Sequence, residues 1–234
     1  MSKIKNIVMK ILKKGESGKG ILIEHDAGFI NPDENKGLIN EMKFDGNQKI
    51  KEPLILTAVL QKCGVENRNG RIYPPEILKR EVNNYQDLID QNRAIGEAEH
   101  PESSVINTDR VSHNILETWW DGKTLMGKVE ILMSPGFVNL GIISCKGDMI
   151  ANLLRKGIMI GVSSRGVGTL KTEHGKNMVQ DDFELICWDI VTSPSTPGSW
   201  IFRNEEEAKP FVENEEKNKP LIIDDLDSFL NEEE

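Results

Sequence analysis

The chain has 234 residues, and its 29 basic and 38 acidic side chains give a formal net charge of −9. With 38% hydrophobic residues and a mean hydropathy of −0.41, it can form one sizeable core or at most two small domains. No apolar run approaches the roughly 18 residues of a membrane-spanning helix. Three isolated cysteines predict neither a disulfide framework nor a zinc site, and a reducing cytosol is expected.

The negative charge is concentrated at the C-terminus. From Arg203 onward there are 12 acidic and 4 basic residues, whereas residues 1–202 carry 26 acidic and 25 basic ones. The rest of the chain is therefore nearly neutral. Because it lacks a basic excess, we expect no nucleic-acid partner. No membrane partner is expected either.

The composition predicts three segments. Residues 1–52 begin with a cationic amphipathic helix over 1–14 and continue as a polar, mobile stretch. Residues 53–204 form the folded domain, and residues 205–234 an acidic, disordered tail.

Within the folded domain, strands and helices are mixed. Pro75 can begin a helix that runs to about Asp90, and the Asp121-Gly122 pair predicts a hairpin turn. Asp148 can cap a second helix that stops at Gly157. Strands are predicted at 54–60, 93–99, 110–120, 124–132, from 161 onward, and at 183–191. The expected class is α+β, with a small barrel or a curled sheet.

The first candidate for chemistry is His100, in the segment 96–101 (GEAEHP). An imidazole where a strand meets a loop is well placed to face a substrate, although a surface histidine without a catalytic role is the alternative. His113 lies in a strand and is expected to be structural, while His25 and His174 lie in polar loops.

The second candidate is the segment 161–166 (GVSSRG), which contains adjacent serines. Neighbouring residues of a strand face opposite sides, so only one of Ser163 and Ser164 can meet His100. The backbone amides near Ser164, Arg165 and Gly166 could stabilise an oxyanion. The segment departs from the Gly-x-Ser-x-Gly pattern of the esterases, which argues against an intracellular esterase.

The third candidate is Asp189, an acidic residue inside an apolar strand. A buried carboxylate needs a partner, which could be a histidine, an arginine or loop amides. A metal-dependent hydrolase is not expected, because Glu97, Glu99 and His100 have no second histidine at ligand spacing.

Together, these segments resemble the prohead core protein proteases of large tailed phages, which are serine peptidases related to the herpesvirus assembly protease. The resemblance covers residues 54–202. The matching blocks, in chain order, are 67–74 (NRNGRIYP), 96–101, the Trp119-Trp120 hairpin with Gly127, 161–166, and 189–195 (DIVTSPS).

This resemblance implies a herpesvirus-protease-like β-barrel surrounded by helices, with the serine protease domain over residues 53–204. It implies that His100 is the catalytic histidine and Ser163 the nucleophile, and no cofactor is expected. We assign the third position of the triad to Asp189, with Glu97 and His113 as alternatives. Arg165 is one of the basic residues that could recognise a substrate glutamate.

The resemblance also implies cleavage after glutamate in Leu/Ile-x-Glu sequences of scaffold, core and major capsid proteins. This would occur inside the assembling prohead in the host cytoplasm, and a homo-oligomer is expected. The chain's own copies of the motif predict self-processing after Glu24, Glu41 and Glu232, which we expect to lie outside the folded core. Copies ending at Glu97 and Glu117 should be protected within strands. The alternative is a catalytically silent core protein that binds scaffold.

Overall fold

The computed structural model describes residues 20–23, 52–101 and 103–213. The predicted N-terminal helix and nearly all of the polar stretch after it lie outside the described residues. The strands are β1 (Gly20–Ile23), β2 (Leu54–Lys62), β3 (Arg71–Ile72), β4 (Ile95–Glu97), β5 (Val111–Asp121), β6 (Thr124–Ile131), β7 (Gly161–Gly168), β8 (Leu170–Glu173), β9 (Lys176–Val179), β10 (Glu184–Val191) and β11 (Ile201–Phe202). The helices are α1 (Pro75–Asp90), α2 (Pro135–Leu140), α3 (Lys146–Arg155) and α4 (Glu205–Glu213), with a 3-10 turn at Thr108–Arg110.

Helix α1 follows directly from its sequence. Pro75 occupies the first turn, where a missing amide donor costs nothing. Ile77, Leu78, Val82 and Tyr85 recur at helical spacing and are buried in the core. This single apolar face packs on the sheets. The helix runs from Pro75 to Asp90, so its predicted bounds are confirmed.

The strands form three sheets. Their orders are β1-β7-β10, β11-β2-β6-β5-β4 and β3-β9-β8. Isolated bridges join the first two sheets at Ala98–Ile190 and at Gly161–Trp200. The predicted α+β class is confirmed. The predicted herpesvirus-protease-like barrel is not confirmed, because the described strands are divided among separate sheets.

The core lies against one face of β7 and β10. Val162, Trp188 and Ile190 alternate along these strands and join the main apolar cluster. Ser163 and Asp189 lie between them and therefore point to the other face. The alternation of apolar and polar residues thus separates the core from the polar face that carries the candidate site.

Helix α4 corrects the prediction of disorder from residue 205. Ala208, Phe211 and Val212 are buried in a second apolar cluster that includes Trp200 and Phe202. The prediction relied on the acidic composition of the segment and overlooked these apolar residues. Their helical spacing gives the helix an apolar face that is buried.

Helix α3 differs from the prediction in its cap. It begins at Lys146, so Asp148 is its third residue and not the residue before it. The Asp148 carboxylate still caps the helix, because it accepts hydrogen bonds from the backbone amides of Ser144 and Cys145, at 2.8 and 3.1 Å.

Strand β1 corrects a further expectation. Leu22 and Ile23 of the Leu-Ile-Glu motif belong to a sheet, paired with β7, and are not outside the fold. Glu41 and Glu232 lie outside the described residues. The copies of the motif that end at Glu97 and Glu117 lie in β4 and β5, as predicted. Among the described helices, none is both long and apolar enough to cross a membrane.

Candidate active site

The pairing of β7 with β10 brings Ser163 directly opposite Asp189. Residues that oppose each other in an antiparallel pair project to the same face of the sheet. Ser163 is 2% exposed and Asp189 is fully buried. The predicted nucleophile and the predicted acid therefore share one buried face.

His100 reaches this face because the chain after β4 is held on β10. The Glu99 amide donates to the Ile190 carbonyl at 2.8 Å, and Glu99 itself has a left-handed φ of 63°. His100 Nδ1 then lies 2.7 Å from Asp189 Oδ2. The structure thus joins the predicted histidine to the predicted acid.

The ionisation state of Asp189 favours this contact with His100. Burial alone would raise its pKa, but the hydrogen bond and charge of His100, together with the charge of Arg165, hold the pKa below its ordinary value. An ionised Asp189 accepts a hydrogen bond from the Nδ1–H group of His100. The other ring nitrogen, Nε2, is then left as a base.

Arg165 lies at the centre of a buried ionic cluster. Its Nη2 donates to Glu97 Oε1 at 3.1 Å and to Asp189 Oδ1 at 3.2 Å. Its Nε lies 2.9 Å from Asp189 Oδ2 as an ion pair, although that N–H is not directed at an acceptor. Its side chain is 0% exposed, so in this structure the guanidinium binds two internal carboxylates and is not available to a substrate glutamate.

Glu97 and His113, the two alternatives for the third position of the triad, have other hydrogen-bond partners. Glu97 accepts hydrogen bonds from the Asn107 amide at 2.8 Å and from Arg110 Nε at 3.0 Å. The His113 ring contacts Ser112 Oγ and the Trp188 carbonyl, each at 2.9 Å. Burial lowers the pKa of His113 to about 4, so it is neutral at pH 7.

Ser164 and Gly166 lie on the core side of β7. Ser164 pairs with Trp188 and is 3% exposed. A Cβ at Gly166 would lie 2.4 Å from a ring carbon of Phe183, so this position needs glycine for packing. As predicted, the two serines face opposite sides, since only Ser163 shares a face with Asp189.

The sequence interpretation missed Cys187. Its Sγ lies 3.2 Å from Arg165 Nη2 and 3.3 Å from Asp189 Oδ1, and burial raises the pKa of this thiol well above its ordinary range. Cys187 precedes Asp189 by two residues in the same strand, and this spacing is the feature of the sequence that could have placed it at the site. A bulge between Leu185 and Cys187 lets Cys187 share the polar face while Leu185 packs on the core.

Within the described ranges, no three His, Cys, Asp or Glu side chains are grouped as a metal ion would require. The site thus consists of a histidine in contact with a carboxylate, a buried arginine paired with that carboxylate, and a serine opposite it in the strand register.

Known proteins resemble this chain in sequence and in fold. Residues 22–209 match the family described as prohead core protein serine protease. The prohead core protein protease of Enterobacteria phage T4 is 30% identical over 159 residues, which is 67% of this chain and 71% of the relative. The solved structure of the bacteriophage T4 capsid assembly protease superposes with a TM-score of 0.58 at 25% identity, covering 75% of this chain and 99% of that one. The chain therefore belongs to the family of prohead core protein serine proteases.

Proposed function

We propose that this protein is a serine endopeptidase of phage prohead maturation that cleaves after glutamate in Leu/Ile-x-Glu sequences. The observation that carries the proposal is the 2.7 Å contact between His100 Nδ1 and Asp189 Oδ2, on the face that Ser163 shares. The family of the chain supports the substrate class.

In the proposed mechanism, Ser163 attacks the scissile carbonyl while His100 Nε2 takes the hydroxyl proton. His100 then returns this proton to the leaving amine, and water repeats the sequence on the acyl-enzyme. Asp189 holds the imidazole in the tautomer that has Nδ1 protonated, and it stabilises the imidazolium that forms. No cofactor takes part in these steps.

Backbone amides of β7 are the proposed oxyanion donors. Arg165 and Gly166 each have strand neighbours on both sides, β1 and β10. Since successive amides in a strand point to opposite edges, one of the two is directed away from β10. That amide would serve the oxyanion when the β1 edge is open.

Arg165 and Glu97 are proposed as positioning residues. The guanidinium bridges the two carboxylates, and Glu97 is in turn held by Arg110. A fixed Asp189 keeps the orientation of His100 constant. The residue that recognises the substrate glutamate therefore lies outside this internal cluster.

The proposed substrates are the scaffold, core and major capsid proteins of the prohead, cleaved inside it in the host cytoplasm. We also propose self-processing after Glu24, Glu41 and Glu232. A homo-oligomer is supported by exposed apolar side chains at the end of α2 and in the turn that follows it, namely Leu140, Ile142 and Ile143.

For the fold, we propose that residues 53–204 form the protease domain, in which the strands make a barrel-like arrangement surrounded by the helices. The bridges Ala98–Ile190 and Gly161–Trp200 support this proposal, because they connect the β7–β10 pair to both edges of the five-stranded sheet. Strand β1 and helix α4 would then be additions to this domain.

A catalytically silent core protein remains the alternative. Such a protein has no need for a buried His100–Asp189 contact facing Ser163, and burying charged groups is costly. The geometry therefore favours the enzyme.

The test is mass spectrometry of the wild-type protein and of Ser163→Ala after incubation with a Leu-x-Glu peptide. The matched peptide with glutamine in place of glutamate is the control. We expect cleavage of the first peptide by the wild type alone. Equal, unchanged masses for both proteins and both peptides would favour the silent alternative.

A further inference from the structure

A β-bulge brings Cys187 to the candidate active site. Leu185 is the last residue of β10 that is paired before the bulge, and Cys187 then pairs with Arg165. The extra residue shifts the register of the rest of β10, which sets Asp189 opposite Ser163. One irregularity therefore places Cys187 and Asp189 together on the face of the proposed nucleophile.

The hydrogen bonds of the Cys187 sulfur have a defined direction. Arg165 Nη2 lies 3.2 Å from Cys187 Sγ, and this sulfur lies 3.3 Å from Asp189 Oδ1. Because a guanidinium can only donate, the sulfur accepts from Arg165 and directs its own proton at Asp189. Burial and the charge of Asp189 raise the pKa of the thiol well above its ordinary range. The thiol is therefore protonated at pH 7 and able to donate.

The two oxygens of Asp189 have different sets of contacts. Oδ1 accepts hydrogen bonds from the Glu97 amide at 2.9 Å, from Arg165 Nη2 at 3.2 Å and from the Cys187 thiol at 3.3 Å. Oδ2 lies 2.7 Å from His100 Nδ1 and 2.9 Å from Arg165 Nε. Donors on Oδ1 restrain the rotation of the carboxylate and disperse part of its negative charge. The direction and the strength of the contact with His100 both depend on these donors.

Cys187 supplies its donor without adding a charge to the buried cluster. The two carboxylates, Glu97 and Asp189, are paired with two guanidinium groups, those of Arg165 and Arg110. Cys187 is fully buried beside them. A further charge at this position would have no counterion, and burying such a charge is costly. A neutral donor is therefore what the position requires.

We propose that Cys187 is a positioning residue of this site, whose thiol holds Asp189 Oδ1 so that Oδ2 faces His100 and which disperses part of the Asp189 charge. This inference rests on the proposed protease function and adds a residue that acts through Asp189. It also accounts for the bulge, since a regular β10 would place neither Cys187 opposite Arg165 nor Asp189 opposite Ser163.

Several groups act on Asp189 when the pH changes. They are His100 and Glu97 from β4 and the chain after it, Arg165 from β7, Cys187 from β10, His113 from β5 and Tyr85 from α1. Burial lowers the pKa of His113 to about 4 and raises that of Tyr85 well above its ordinary range. Between about pH 5.5 and 8 both therefore stay neutral, and the titration is followed on His100 itself.

The test follows the Nδ1–H proton of His100 by NMR across this pH range, in the full-length chain. A proton in a short hydrogen bond to a carboxylate gives a signal far downfield, and His100→Gln identifies that signal by its loss. Cys187→Ala removes the thiol donor, whereas Cys187→Ser keeps a donor. Cys63→Ala is the matched control, because Cys63 is a buried thiol of the apolar core.

Cys187→Ala should raise the pH midpoint of this signal by about 0.5, because an Asp189 charge that is less dispersed stabilises the imidazolium more. It should lower kcat for a Leu-x-Glu peptide about fivefold, because the carboxylate loses a restraint, with KM changed less than twofold. Cys187→Ser should restore kcat and keep the midpoint at or below that of the wild type, since a hydroxyl also donates. Cys63→Ala should leave both readouts unchanged.

The NMR signal and the cleavage assay separate this inference from the protease function. The expected shift with no cleavage by any of the proteins would support the role of Cys187 and overturn the protease function. Normal cleavage with the same midpoint in Cys187→Ala and the wild type would overturn the role of Cys187 alone. An unchanged midpoint together with no cleavage would overturn both.

Cys187→Ser distinguishes the donor from simple packing. A midpoint that shifts in Cys187→Ser as it does in Cys187→Ala would overturn the inference, because the loss of the sulfur atom and not of the donor would then be the cause. If Cys187→Ala does not fold, Cys187→Ser decides alone: a midpoint above that of the wild type overturns the role of Cys187, and one at or below it supports that role.

Discussion

His100 and Asp189 are 89 positions apart in the chain, yet His100 Nδ1 lies 2.7 Å from Asp189 Oδ2. The contact is buried, with the two side chains 3% and 0% exposed. A charge-assisted hydrogen bond of this kind fixes both the tautomer and the orientation of the imidazole. Asp189 is therefore the acid on which the proposed mechanism depends.

Asp189→Asn should lower kcat by about four orders of magnitude, since an amide favours the wrong tautomer of His100. KM should change much less, because Asp189 is buried away from the substrate. Steady-state kinetics with a Leu-x-Glu peptide would measure both constants, with Glu97→Gln as the comparison. A larger loss of kcat in Glu97→Gln than in Asp189→Asn would transfer the role to Glu97.

Ser163→Ala should reduce kcat by at least about 10³-fold, because the nucleophile is lost. Ser164→Ala should retain activity within about tenfold, because Ser164 faces the core beside Trp188 and not the side of Asp189. Peptide cleavage assays on the two purified variants, with circular dichroism to verify folding, would check this. The reverse order of activities would make Ser164 the nucleophile.

Arg165→Met should destabilise the fold by about 3–5 kcal/mol, since it leaves Glu97 and Asp189 as buried carboxylates without their shared cation. Arg165→Lys should cost less, because one charge remains. Urea unfolding would give these free energies. Adding Glu97→Gln to Arg165→Met should recover part of the lost stability by removing one of the two buried carboxylate charges. No recovery would mean that the ionic cluster is not the cause of the destabilisation.

His113 should make stability fall in mild acid. Its pKa is lowered from 6.5 to about 4 in the folded protein, so between these values the unfolded state takes up a proton that the folded state does not. The free energy of unfolding should therefore decrease as the pH falls through this window, by about 3 kcal/mol from this residue.

The check is to compare wild type with His113→Gln, which cannot titrate, by urea unfolding at pH 7 and at pH 4.5. His113→Gln should be less stable at pH 7, because two buried hydrogen bonds are disturbed. Its stability should nevertheless depend less on pH. An equal loss in both proteins would assign the acid sensitivity to other groups.

Elements with a strong local pattern could be predicted from the sequence. Helix α1 could be predicted from Pro75 and from the apolar residues at helical spacing. The β5–β6 hairpin could be predicted from the Asp121-Gly122 pair, and Gly122 has a left-handed φ of 56° in the structure. The opposite orientation of Ser163 and Ser164 followed from strand geometry once the segment was assigned to a strand. In each case the deciding interactions lie within a few residues of one another.

The partners of the polar residues were decided by tertiary structure. The sequence left Asp189, Glu97 and His113 as alternatives for contacting His100, and only the packing of the chain after β4 on β10 selects Asp189. The burial of Arg165 and the addition of β1 to β7 likewise depend on strands that are distant in the chain. Side-chain type and local spacing determine which groups can react, but strand register determines which of them meet, because register depends on the burial of whole sheet faces and not on any short motif.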